Sequence, residues 1–207
     1  MPKEDAAPKD NFAEIEKVLS HERQMDLKIS RDLDDLIEPY TVFVLTEPKD
    51  FAAIKTGIVR RIAKQKRQGI YIAFNTGFSK IESNFEKEKI SIDNIHFIDM
   101  ISRTAGGKIV EKKNVSYIDG PSDLTELIIL MEKKLNTLEG KGAVMIVDSV
   151  STMLVYNESS TIEKFIHALL EKVNSFDSSG ILLSSDYGEH EAITTTISQF
   201  VDKVIKI

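Results

Sequence analysis

An aspartate closing a buried strand and a lysine-bearing turn closing another are the residue types that hold magnesium and phosphate in α/β proteins. The first is Asp148, at the end of Ala143-Val144-Met145-Ile146-Val147 and followed by Ser149. The second lies in "VFVLTEPKDFAAI", Val42–Ile54, where an apolar run breaks at Pro48 and passes into an amphipathic pattern. Strand, loop and helix give the layout of a phosphate-binding loop. Such a loop needs small residues so that backbone N–H groups can wrap the phosphates. It also needs a lysine for charge and a Ser/Thr hydroxyl for magnesium, in the pattern G-x-x-x-x-G-K-[ST].

The pair Lys55-Thr56 invites that match but fails it, because the glycine positions hold Lys49 and Ile54. Lys55 also falls more than a turn inside the expected helix, too far to fold back over the loop. Aligning on the strand end and Pro48 puts the lysine position on Ala52 or Ala53, with bulky Phe51 beside it. The loop Thr46, Glu47, Pro48, Lys49, Asp50, Phe51, Ala52, Ala53 contains no glycine. No cofactor is expected there.

Other groups read more plainly. Lys55, Arg60, Arg61, Lys64 and Arg67 make the first helix and its end basic. That is either a solvated face, with cations favoured at a helix C-terminus, or a patch for an acidic partner or a nucleic-acid backbone. Aromatic interleaving is poor, so stacking on single strands is unsupported. Asp186-Tyr187-Gly188-Glu189-His190-Glu191 collects metal-ligand types, but such a run is more often an exposed loop. His21, His96 and His167 sit at no spacing that suggests a triad, and Ser149 and Ser151 lack a nucleophile elbow.

The elements that must position these residues alternate. Ile70–Phe74, Ile95–Ile98, Val115–Ile118, Ala143–Val147, Ile181–Leu183 and Val204–Ile207 join Val42–Leu45 as strands. Helical spacing marks Phe51–Ile62, Leu124–Leu138 with Ser122 as its cap, and Thr161–Ser175. This predicts an α/β fold, a mostly parallel sheet with helices on both faces. Before it stand a flexible tail (1–10) and a helical segment (11–38), the latter with one helix around Phe12–Leu19 and a brief one capped by Ser30. The α/β domain is 39–207.

With 207 residues, 42% apolar and 29% charged, the chain has the composition of a soluble globular protein. No apolar run reaches the roughly 18 residues of a membrane span, no signal peptide opens the chain, and a cytoplasmic location is expected. Cysteine is absent, and a net charge of -6 argues against broad nucleic-acid binding.

Several segments, in order, resemble the RecA superfamily of ATPases, in its archaeal and bacterial KaiC-like branch. "RDLDDLI" (Arg31–Ile37) is similar to that family's lead-in without its glycines. "GIYIAF" (Gly69–Phe74) resembles the second core strand, and "VSYIDGPSDLTELIILMEKKL" (Val115–Leu135) the strand and helix before Walker B. "AVMIVDSVSTML" (Ala143–Leu154) resembles Walker B, and "ITTTISQFVDKVIKI" (Ile193–Ile207) the last strands. The resemblance implies a RecA-like fold over residues 30–207. It also implies what is gone: Walker A is degenerate, and Phe74-Asn75-Thr76 holds no carboxylate where the family polarises water. The expectation is a pseudo-ATPase acting in protein interaction or regulation, with a protein partner or self-association. The alternatives are a divergent nucleotide-binding ATPase using Asp148 for magnesium with Lys49 or Lys55 as displaced charge, and a nucleic-acid accessory protein.

Overall fold

The computed structural model describes residues 19–138, 142–185 and 191–207. The expected helix around Phe12–Leu19 and most of the Asp186–Glu191 run lie outside them. The elements are α1 (His21–Asp34), β1 (Thr41–Thr46), α2 (Phe51–Lys64), β2 (Gly69–Ala73), α3 (Phe78–Lys87), β3 (Ile95–Asp99) and β4 (Val115–Tyr117). Then come α4 (Leu124–Thr137), β5 (Val144–Asp148), α5 (Val150–Tyr156), α6 (Ser159–Ser175), β6 (Ser179–Ser185), α7 (Glu191–Ser198) and β7 (Lys203–Lys206).

The strands form one sheet in the order β4-β3-β2-β5-β6-β1-β7, and every pairing is parallel. Apolar runs without alternation dictate this, since a strand covered by helices on both sides has no face to give to water. In β1, Val42 and Val44 enter a core with α1, α2 and α3, while Phe43 and Leu45 enter the other with α4, α5, α6 and α7. All six β1 residues are buried. The fold is that of RecA-like α/β domains.

Local outcomes differ from the sequence reading at several places. One continuous α1 replaces the polar break and the brief helix capped by Ser30. Its stripe of Met25, Ile29 and Leu33 is interrupted by Asp26, buried against Arg23 and Arg60, so hydropathy alone hides it. The helix lies close on α2: a Cβ at Gly57 would stand 2.9 Å from both Asp26 Oδ1 and Ile29 Cγ2. Helix α3, which buries Phe78, Ile81 and Phe85, and the short α5 were not foreseen. The cap of α4 is Asp123, which accepts from the Glu126 N–H at 3.1 Å, rather than Ser122. The stretch 193–198, similar to a family strand, is helical within α7. The strand after it is tied back by Asp202, which accepts from the Thr41 N–H at 2.7 Å.

Candidate functional site

In parallel sheets the ligand edge is the one where strands end, here marked by Thr46, Ala73, Asp99, Asp148 and Ser185. Four residues, Glu47 to Asp50, link β1 to α2. Their backbone donors are largely committed: Glu47 N–H donates to Ile207 O at 3.4 Å and Asp50 N–H to Glu47 O at 3.0 Å. Pro48 has none. Lys49 pairs with Glu47 at 2.7 Å on the surface, and buried Asp50 takes His21 Nε2 at 2.5 Å. Ala52 and Ala53 open on a cleft of about 370 Å³ between α1, α2 and α3, with Arg23, Arg60, Lys87 and Glu88 on its walls.

Lys55 leaves the loop altogether. It lies one turn after Phe51, on the stripe that also buries Ile58 and Ile62, so its stem runs over apolar surface toward the sheet. Its Nζ donates to Asp148 Oδ2 at 3.0 Å, with the Phe51 ring 5.7 Å from the ammonium. Tyr71, fully buried on β2, donates its hydroxyl to the same oxygen. Burial, and secondly the charge of Asp148, push the Tyr71 phenol well above its usual range, so it stays a donor at all ordinary pH. Asp148 has no exposed surface, and its Oδ1 has no hydrogen-bond partner among the described residues. The neighbouring Ser149 is structural. Its hydroxyl accepts from the Thr152 N–H at 3.3 Å, capping α5.

A second carboxylate flanks the same strand end. Ala73 is in register with Asp148 on one side and Asp99 on the other. Asp99 accepts from the N–H groups of Phe78 (2.7 Å), Ile101 (3.0 Å) and Ser102 (2.8 Å), and from the Ser102 hydroxyl (2.7 Å). It fastens two loops. The sequence signal was an aspartate ending an apolar strand, the same signal that marks Asp148.

Residues 62–207 match DUF7090, a family of unknown function. The chain belongs to that family. No curated protein matches it. Among solved structures it is similar to an uncharacterized protein from Pyrococcus horikoshii in complex with an unknown peptide. The TM-score is 0.67 at 12% identity, over 87% of this chain and 82% of that one. It is also similar to a KaiC-like protein from the hyperthermophilic archaeon Pyrococcus horikoshii OT3, with a TM-score of 0.59 at 11% identity, over 82% and 71% of the two chains.

In this DUF7090 chain the basic residues of α2 and its end meet acids from elsewhere. Arg60 pairs with Asp26 and, at 3.0 Å, with Glu88. Arg61 Nε donates to Asp34 at 2.8 Å, and Arg67 pairs with Glu38 and donates to Gly142 O at 2.7 Å. Lys55 is held by Asp148, and Lys64 makes no ion pair among the described residues. The five cations therefore lie along α2 and the turn after it but do not form an open face. Among the described residues no cluster could hold a metal ion, and no helix is long and apolar enough to cross a membrane.

The histidines take separate places. His167 meets the Phe200 ring edge-on at 4.9 Å. His96 Nε2 lies 2.9 Å from Ser116 Oγ, and burial, with Lys134 second, lowers its pKa from 6.5 to about 4. As pH falls the unfolded chain therefore takes the proton first, so the His96 contribution is complete above pH 6.5 and is lost between 6.5 and about 4. Urea unfolding at pH 7 and pH 5 should show a loss on the order of 1 kcal/mol assignable to this ring, allowing for its partial solvation. The His96→Gln protein should lack that part of the pH dependence; an unchanged profile would remove His96 as its source.

Proposed function

We propose that the protein is a non-catalytic RecA/KaiC-like domain that works through protein interaction or regulation. The observation that carries this reading is the ammonium of Lys55 on Asp148. An aspartate at that strand end serves a Mg-nucleotide only if it faces water and a hydrated cation. Here a fixed cation and a buried phenol already satisfy one oxygen, and the carboxylate is closed off from solvent. The β1–α2 link adds Glu47 and Asp50 where triphosphate charge would have to sit, and like charges there are unfavourable. The residues present do not fit a Mg-triphosphate, and no hydrolytic step is derived through one. A structural neighbour bound to an unknown peptide supports an interaction role for this framework.

A second reading, a divergent nucleotide binder, is favoured by one feature: Asp148 Oδ1 has no partner among the described residues. Magnesium there would have to displace Lys55. Calorimetry of the purified protein with ATP and ADP in magnesium separates the two. We expect no heat up to millimolar nucleotide and no ATP turnover, and Ala52→Lys or Ala53→Lys alone should restore neither. Micromolar binding that disappears in Asp148→Asn would establish the second reading instead. The solution mass, measured alongside, tests self-association.

A further inference from the structure

At the opposite edge of the sheet, where β2, β3 and β4 begin, a pocket of about 220 Å³ opens beneath the end of α4. Gln68, Asn94, His96, Lys113, Asn114 and Lys134 provide its polar walls. Its electrostatics differ from those of α2 and the turn that ends it. Arg60, Arg61, Arg67 and Lys55 all meet carboxylates or carbonyls, yet Lys113 and Lys134 form no ion pair among the described residues. Among the described residues the one carboxylate on the wall, Asp93, sits at the exposed rim and accepts from the Ser91 hydroxyl at 2.8 Å. Two lysines against one carboxylate leave the pocket with a positive excess.

Neutral donors face the same space. Asn114 uses its side-chain amide on Ile95 O at 3.3 Å, but the amides of Gln68 and Asn94 make no hydrogen bond within the described protein. A half-buried lysine and two free amides around a concave volume form an arrangement that a multivalent acceptor completes.

We propose that this pocket binds a small oxyanion of phosphate size, held by the ammonium groups of Lys113 and Lys134 with the Gln68 and Asn94 amides as additional donors. Burial and Lys133 lower the Lys134 pKa, and burial with Lys134 lowers that of His96. Burial is the main cause of both and a neighbouring cation the second, and a bound anion would oppose both. The site is independent of the reading of Asp148, being at the far edge of the sheet. It uses charge and shape only and requires no chemistry of the anion.

The test is an NMR titration of the His96 ring, assigned by comparison with His96→Gln, at constant ionic strength. Inorganic phosphate at millimolar concentration should shift the ring resonance saturably and raise its pKa above about 4, while chloride should do neither. Lys134→Gln and Lys113→Gln should each weaken the response about fivefold, the scale of one partly solvated charge pair. Glycerol phosphate distinguishes the source of the anion. Response to both probes assigns the pocket to phosphate esters, and response to inorganic phosphate alone assigns it to the free ion. Equal response to phosphate and chloride in the parent protein overturns the proposal, as does undiminished binding in a folded Lys113→Gln/Lys134→Gln protein.

Discussion

Lys55→Met is expected to destabilise the folded protein by about 3 kcal/mol, the cost of leaving a buried carboxylate without its cation. The side chain of Lys55 is 17% exposed and that of Asp148 is fully buried, so the penalty falls mainly on the aspartate. Tyr71 still donates to Oδ2 in the variant, but a neutral phenol does not replace a charge 3.0 Å away. Methionine keeps the apolar stem over Phe51 and leaves no large cavity, which separates the charge effect from packing. The double variant Lys55→Met/Asp148→Asn should recover more than half of the loss, because the pair is then removed together. Urea denaturation of the four proteins in this cycle gives the coupling directly. A Lys55→Met protein as stable as the parent would mean that the ammonium does not compensate Asp148, and the reading of a closed-off site would lose its main support.

That pairing was legible in halves. The sequence placed Lys55 inside a helix and away from the loop, and both hold. What it did not yield was the destination. A lysine on the Phe51, Ile58 and Ile62 stripe must reach a buried counter-charge or water, and an aspartate closing a buried strand has the same need. The two lie 93 residues apart, so only the sheet order, not local spacing, brings them together. The basic residues failed to be read for the same reason. Arg60, Arg61 and Arg67 look like an open face until α1 and the turn after it deliver Asp26, Asp34 and Glu38.

The sheet was legible because burial on both faces writes itself into continuous apolar runs, as in Val42–Leu45 and Val144–Val147. Helices with a broad stripe, such as α4 and α6, were equally plain. Those missed carry weak or interrupted stripes. In α3 only Phe78, Ile81 and Phe85 turn inward among polar neighbours, and α5 has just seven residues beyond the Asp148-Ser149 corner. In α7 the threonines favour extended backbone locally, yet Ile193 and Ile197, one turn apart, bury against α6 and the sheet. Tertiary packing outweighed propensity there.

Asp99→Ala should cost about 3–4 kcal/mol, since one substitution strands the buried N–H groups of Phe78 and Ser102 and the half-buried one of Ile101 together with a hydroxyl. Each unmet buried donor costs about 1–3 kcal/mol, and partial access of water to the loop that follows β3 lowers the sum. Asp99→Asn keeps one acceptor oxygen and should lose about half as much. The loss is local before it is global: the first turn of α3 and residues 101–102 share the one carboxylate. Hydrogen exchange should therefore quicken at the amides of Phe78, Ile101 and Ser102 well before amides in β5. Against a total stability of about 5–15 kcal/mol the Ala variant remains folded and measurable. Unchanged exchange at those three amides, with a stability loss below about 1 kcal/mol, would mean that another group holds the two loops. Asp148 and Asp99 would then differ in kind. If the prediction holds, the two carboxylates flanking Ala73 do the same work on opposite sides of β2, each holding internal donors at an edge where ligand-binding sheets leave their carboxylates free.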